Sequence, residues 1–312
     1  MNAPNPVLID SGTKYVKVSG DTAKCGITTT GALKCWGYNN YGTVGDSTTV
    51  NKASPVLIDS GTSYSEVKVV GSTACGITTT GALKCWGMNS SGQVGDATTT
   101  NKTVPTLINS GTSYSVIEMS GSVNCGITTT GVLKCWGANN FYGAVGDGTL
   151  VNKTSPTTIN SGTSYSYVAP GLMVTCGITT AGVLKCWGRN NFGAVGDGST
   201  TNRISPVTVD SGVIYSSVST EAGVTGTCAI TTLGDLKCWG RNDKGNVGDG
   251  TTITRTTPVV VDGGVKYSKI VSSNSSPGVC GLTQGGKIKC WGQTVDLQLV
   301  KYNFPVQVLN IH

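Results

Sequence analysis

Across 312 residues the chain carries 45 glycines, only 12% charged residues, a formal charge of +6 and one histidine, His312. So few histidines remove Ser-His-Asp and Cys-His chemistry, and no Gly-x-x-x-x-Gly-Lys-Ser/Thr phosphate loop occurs. No run approaches the ~20 apolar residues of a membrane-spanning helix, so membrane insertion is not expected.

The composition is rich in Gly, Thr, Ser, Asn and Val and poor in helix formers, which points to an all-β chain with frequent turns. Residues 1–4, Met-Asn-Ala-Pro, have neither the basic nor the apolar region of a secretory signal. Residues 6–9 read Pro-Val-Leu-Ile, an apolar stretch that returns later. Residues 15–18 form the first strand signal, A. Residues 25–37, CGITTTGALKCWG, follow as two strands, B and C, around a tip at Gly31, where a tight hairpin needs a positive φ. Folding that hairpin about Thr30 sets Cys25 opposite Cys35 and Ile27 opposite Leu33, all on one face. Opposed residues in such a pair lie close enough for a disulfide.

A long loop over residues 37–54 then contains Asn39, Gly42, Gly45 and Asp46. It leads to a fourth strand, D, at residues 55–58. Proline at the start of D suits an edge position, because it cannot donate to a ladder.

This unit recurs about every 50 residues, the interval of a propeller or solenoid. Six copies of the hairpin predict six bridges: Cys25–Cys35, Cys75–Cys85, Cys125–Cys135, Cys176–Cys186, Cys228–Cys238 and Cys280–Cys290. Twelve buried thiols are the alternative reading, since Cys is also a small core residue. Zinc is a poorer one, because close Cys pairs and loop histidines are absent. The bridges imply an oxidising place: periplasm, cell surface or outside the cell.

Repeats four to six drift. Their A–B connections lengthen at residues 169–175, 219–227 and 272–279. The sixth replaces the glycine-rich loop with QTVDLQLVKYNF at residues 293–304, as a terminal repeat does. Strand D returns at Val56, Thr106, Thr157, Val207 and Val259, and again at residues 6–9 and 305–308. There are thus seven D-like strands for six A-B-C sets. The spare strand can close the fold, cap an edge or pair with another chain as an oligomer contact.

The stretch Leu-Lys-Cys-Trp-Gly-x-Asn-x-x-Gly-x-Val-Gly-Asp, followed by Thr-Thr and a Pro-led strand, resembles the repeats of the regulator-of-chromosome-condensation family. It stands at Trp36, Asn39, Gly42, Gly45 and Asp46, and again from Trp86, Trp136, Trp187 and Trp239. The resemblance implies a β-propeller of four-stranded antiparallel blades, here six full repeats and one spare terminal strand within a single domain, residues 1–312. Seven-bladed closure is the family's commoner form. The resemblance is closest to bacterial, cysteine-paired, secreted members. Family exchange factors for small GTPases use acidic and histidine-bearing loops. This chain has three glutamates, Glu66, Glu118 and Glu221, and no loop histidine, so exchange activity is not carried over. Another branch inhibits β-lactamases through aromatic loop residues, and none of those maps cleanly here.

In an up-and-down blade the A–B and C–D loops share one face, where binding to a rigid scaffold usually sits. Its candidate ligand-binding residues are the aromatic tips Tyr38, Tyr41, Phe141, Tyr142 and Phe192 with Arg189, Arg241 and Lys244. Such groups suit protein hot spots, and aromatics also stack on sugars. The alternative is that the aromatics fold inward and pack the loop. The six repeated tryptophans and the tyrosines of strand A are expected in the core, and the loop asparagines in turns. The lysines and arginines at Lys34 and Lys52 and at their repeats read as solubilising rings before an anion-binding face. One Asp per repeat offers too few oxygens for calcium, so no metal and no cofactor is expected.

The function expected is a non-enzymatic extracellular or cell-surface recognition module, binding protein or glycan partners and not nucleic acid. A structural protein linked through its terminal strand is the alternative. An exchange-factor-like or inhibitor protein is a weaker one.

Overall fold

The structure, a computed structural model, describes residues 7–139, 141–222, 226–273, 276–293 and 301–307. These residues hold strands and no helix. β1 (Tyr15–Gly20), β2 (Ala23–Thr28), β3 (Leu33–Gly37) and β4 (Lys52–Ile58) form an antiparallel sheet in chain order, the expected A-B-C-D blade. The same order repeats in the strands of 165–208, 215–260 and 267–307. The second and third repeats share one sheet. Its strand β8 (Lys102–Met119) runs without a break from the fourth strand of one repeat into the first of the next.

The hairpin register is the one expected: Cys25 faces Cys35 and Ile27 faces Leu33. Gly31 turns the tip at φ 83°, and the hydroxyl of Thr28 accepts the Ala32 N–H at 3.1 Å. Bridges join Cys25–Cys35, Cys75–Cys85, Cys176–Cys186, Cys228–Cys238 and Cys280–Cys290, each with Cα atoms 4.1 Å apart. Cys125 and Cys135 are disulfide-bonded as well. The Gly after the first Cys has a role of its own. A side chain at Gly76 would sit 2.7 Å from the ring of Tyr64, so only glycine lets strand A's tyrosine lie across strand B.

The chain divides into two compact units: residues 1–129, 136–138 and 152–156, and residues 130–135, 139–151 and 157–312. Within each, the core lies between successive blades. In the first, Cys25, Ile27 and Leu33 of one repeat pack on Tyr64, Val67 and Trp86 of the next. Cys75, Ile77 and Leu83 pack likewise on Tyr114, Ile117 and Trp136. In the second, Cys176, Ile178 and Leu184 meet Tyr215, Val218 and Trp239, and Cys228, Ile230 and Leu236 meet Tyr267 and Trp291. The disulfide is therefore a core side chain as well as a staple. Burying each large apolar group contributes about 1.5–3 kcal/mol.

Of the two terminal D-like stretches, the second supplies the fourth strand of the last blade, Lys301–Gln307. In the first, Val7, Leu8 and Ile9 are exposed and belong to no strand. Pro6 and Val308 lie outside the described residues. No helix among the described residues is long and apolar enough to cross a membrane.

Candidate functional site

The loop between strands C and D is built around one buried asparagine. Asn39 is fully buried. Its Nδ2 donates to Asp46 at 3.1 Å, to the Thr48 carbonyl at 3.0 Å and to the Val50 carbonyl at 3.2 Å. Its Oδ1 accepts the Val44 N–H at 2.8 Å, and its own N–H goes to Asn51 at 2.8 Å. The side chains of Asn89, Asn190 and Asn242 make the corresponding bonds.

The aspartate of each loop is tied in turn to the basic residue that opens strand D. Lys52 lies 2.7 Å from Asp46 and Lys102 2.7 Å from Asp96, while Arg203 meets Asp197 at 2.5 Å and Arg255 meets Asp249 at 2.6 Å. Burial alone would raise the pKa of Asp197. Ser199 and Arg203 outweigh it and hold the carboxyl below the usual carboxylate range. These cations are loop clamps, not a free ring. The second ring is engaged too: Lys34, Lys84, Lys237 and Lys289 pair with Asp10, Asp59, Asp210 and Asp262.

The finished loop then closes on the following blade. Thr43 accepts the Trp86 indole N–H at 2.9 Å, and Gln93, Ala144, Ala194 and Asn246 accept from Trp136, Trp187, Trp239 and Trp291. The Gly of Val-Gly-Asp makes this possible. Gly45 has φ 84° and lies on the Trp86 ring, where a Cβ would come within 2.7 Å of Nε1.

On this fixed frame the loop tips are left over for other work. The A–B and C–D loops do meet: the Arg189 N–H donates to the Met173 carbonyl and the Met88 N–H to that of Ser72, each at 2.8 Å. In the first unit Tyr38 and Tyr41 pair with ring centroids 6.5 Å apart. In the second unit the tips form a ladder. Phe141 is 74% exposed and abuts Tyr142 at 6.2 Å. The Arg189 guanidinium lies 5.0 Å from the Tyr142 ring and 5.9 Å from Phe192, and Arg241 covers Phe192 at 5.0 Å.

Supports that sequence reasoning did not name hold the ladder in place. Arg189 donates to Asn191 and to the Met173 sulfur, each at 2.8 Å, and Arg241 pairs with Asp243 at 2.8 Å. The drift of residues 169–175 was the signal for Met173. Lys244, half-buried and next to Asp243 in the chain, stands outside the ladder. Neither reading of the aromatics holds for all of them. Phe141 and Tyr41 are displayed, whereas Tyr38, Tyr142 and Phe192 are half-buried.

The family models for the regulator of chromosome condensation (RCC1) repeat match residues 65–93 and 80–133. The Ras guanine nucleotide exchange factor C of Dictyostelium discoideum is 37% identical over 73 residues, which are 23% of this chain and 5% of that protein. The chain therefore spans a small fraction of that relative. Among solved structures, human WBSCR16 superposes with a TM-score of 0.78 at 18% identity, over 98% of this chain and 84% of that one. Prp20p of Saccharomyces cerevisiae, described with its binding to Gsp1p and histones, superposes with a TM-score of 0.72 at 17% identity, over 93% and 76%. Repeated motif, blade order and these likenesses agree: the chain carries regulator-of-chromosome-condensation repeats, matched over residues 65–133, and has a β-propeller fold of four-stranded blades.

Proposed function

We infer that this chain is a non-enzymatic recognition propeller of an oxidising compartment, which binds a protein partner through the Phe141–Tyr142–Arg189–Phe192–Arg241 ladder. The ladder itself carries the reading. It alternates cation and aromatic along an exposed rim, and it is built from the loop positions that vary while the frame beneath them repeats. Desolvating such a rim strengthens its cation–π contacts from about 0.5–1 kcal/mol toward 2 kcal/mol, and aromatic and Arg side chains dominate protein hot spots. A protein suits it better than a glycan. The Phe141 and Tyr142 rings are tilted 42° to each other, which offers no flat platform for a sugar ring. Protein binding described for Prp20p gives the family a precedent.

The compartment rests on the cysteines, none of which is free. Intact mass of native protein with thiols trapped should rise by twelve hydrogens on reduction, one per cysteine. No change in mass would move the protein into a reducing compartment. For the site, surface and secreted proteins captured on the immobilised chain should be lost together when Phe141, Arg189 and Arg241 are changed to Ala. Capture that survives the triple variant, or binding confined to a glycan array, would refute the ladder as a protein site.

A further inference from the structure

Arg189 and Arg241 hold the same position in successive repeats, and each folds back on the residue two places on. In the fifth repeat that residue is Asp243. It takes Arg241 through Nε at 2.8 Å and through Nη2 at 3.1 Å, so the pair is neutral. In the fourth repeat the residue is Asn191. Its Oδ1 accepts the Arg189 Nε–H at the same 2.8 Å, but an amide brings no charge. The geometry is kept and the neutralisation is not.

The other arginines of the chain each have a carboxylate: Arg203 has Asp197, Arg241 has Asp243 and Arg255 has Asp249. Arg189 has none among the described residues. Its Nη1 donates to the Met173 sulfur at 2.8 Å, its charged carbon lies over the Tyr142 and Phe192 rings, and no partner of Nη2 stands among the described residues. The side chain is half-buried. It has exchanged hydration for a neutral amide, a weak sulfur acceptor and two ring faces, and an anion would recover what that burial costs.

The surroundings limit which anion fits. Apart from the clamps at Asp197 and Asp249, the C–D loops of these two repeats hold Arg189, Arg241 and Lys244 against Asp243 alone, so the tips favour negative charge. Asp243 is itself 43% exposed beside Arg241 and repels a dense polyanion such as nucleic acid or a sulfated glycan. A single planar carboxylate matches the edge of one guanidinium. The rings of Tyr142 and Phe192, and the exposed Phe141, receive apolar groups beside it.

We propose that Arg189 is the specificity-determining residue of the ladder, reading an aspartate or glutamate side chain flanked by apolar residues in the partner protein. This rests on the ladder being a protein site and names the kind of segment it takes. Asn191 orients the guanidinium and leaves its charge free, whereas Asp243 closes the same device one repeat on.

The test follows three fluorescent probes by anisotropy on the whole chain: a random glutamate–tyrosine copolymer, a lysine–tyrosine copolymer and heparin. The glutamate–tyrosine copolymer should bind and the lysine–tyrosine copolymer should not. Asn191→Asp gives Arg189 the partner that Arg241 has, at nearly constant shape, and should weaken binding about tenfold or more. Asp243→Asn should strengthen it by releasing Arg241. Asn160→Asp makes the same charge change at the turn between strands D and A, where the next repeat already has Asp210, and should leave binding as it was. Thermal melts close to that of the native chain would show that all three variants fold.

No binding of the glutamate–tyrosine copolymer by the native chain would overturn the proposal. Binding that survives Asn191→Asp but is lost when Phe141, Arg189 and Arg241 are all changed to Ala would keep the ladder as a site and remove Arg189 as its charge reader. Binding that survives both would remove the ladder itself. Equal weakening by Asn191→Asp and Asn160→Asp would reduce the effect to net charge. Heparin held more tightly than the copolymer, and weakened by Asn191→Asp, would make the anion a sulfated glycan instead.

Discussion

Arg189 and Asn190 are neighbours in the chain and belong to different parts of the molecule. Asn190 is fully buried, holds its loop with its whole amide, and has a twin in each of the other four glycine-loop repeats. The position of Arg189 is Tyr38, Met88, Ala138 and Arg241 in the other four, and its contacts are to the tips around it. One position makes the frame, and the other makes this frame particular. Perturbing the two should therefore separate stability from recognition.

The strongest blow to the frame is reduction. Each bridge closes a short hairpin and is worth about 2–3 kcal/mol in the chain-entropy account. Six of them add up to about 12–18 kcal/mol, comparable to or above the roughly 5–15 kcal/mol by which domains are usually stable. Protein reduced and alkylated under denaturing conditions should then show no cooperative melt after refolding, by calorimetry or far-UV circular dichroism. A melt like that of the oxidised chain would make the cysteines mere core filler.

Two substitutions divide the frame further. Asn190→Ala strands several buried partners at once, including the Val195 N–H, and should cost about 3 kcal/mol in urea unfolding. Gly146 and Gly212 share φ 87°, so alanine costs each about 1–2 kcal/mol for the left-handed backbone. Only Gly146 lies on a tryptophan, Trp187, while Gly212 has open space around it. Gly146→Ala should add about 1–3 kcal/mol of overpacking to that. Equal costs would show that the loop does not press on the indole.

This division also explains what could be read from the sequence. The strands, the hairpin register and the cysteine pairs were legible because each rests on contacts within one repeat, as in Cys25 against Cys35. The destination of Trp86 was legible as a face but not as a bond, since the Thr43 carbonyl lies in the preceding repeat. The ring of Lys34 and its repeats was read as solvated because its partners are distant in sequence: Lys84 meets Asp59, and Lys237 meets Asp210. The ladder residues were named, but their order was not. Which guanidinium lies on which ring depends on how loops from different repeats converge.

Acid probes those ion pairs. Burial alone would raise Asp59, but Lys84, Tyr64 and Thr62 outweigh it, and its pKa is lowered; Asp46, Asp96 and Asp249 are lowered in the same way. A carboxyl depressed in the folded state contributes its stability above the unfolded value of about 3.9 and loses it as pH falls through the folded value. The urea midpoint should thus be flat near neutrality and drop below about pH 4. Asp59→Asn should make that drop shallower at little cost near neutrality. The chain already uses this exchange at Asn109 and Asn160, whose amides donate to Tyr114 and Tyr165. An unchanged acid limb would remove the Asp59–Lys84 pair from the ledger of native interactions.

The smallest effect on stability is the most telling for function. Arg189→Ala breaks two cation–aromatic contacts and the bonds to Asn191 and Met173, all at a partly solvated tip whose backbone N–H stays bonded to Met173. The side-chain contacts together should be worth no more than about 0.5–1 kcal/mol in the free protein. A near-neutral melt paired with lost capture of the protein partner would place Arg189 on the recognition side of its boundary with Asn190. A loss of stability close to that of Asn190→Ala would instead make the ladder part of the frame, with Phe192 and Tyr142 as packing for the loop and no side chains left over for a partner.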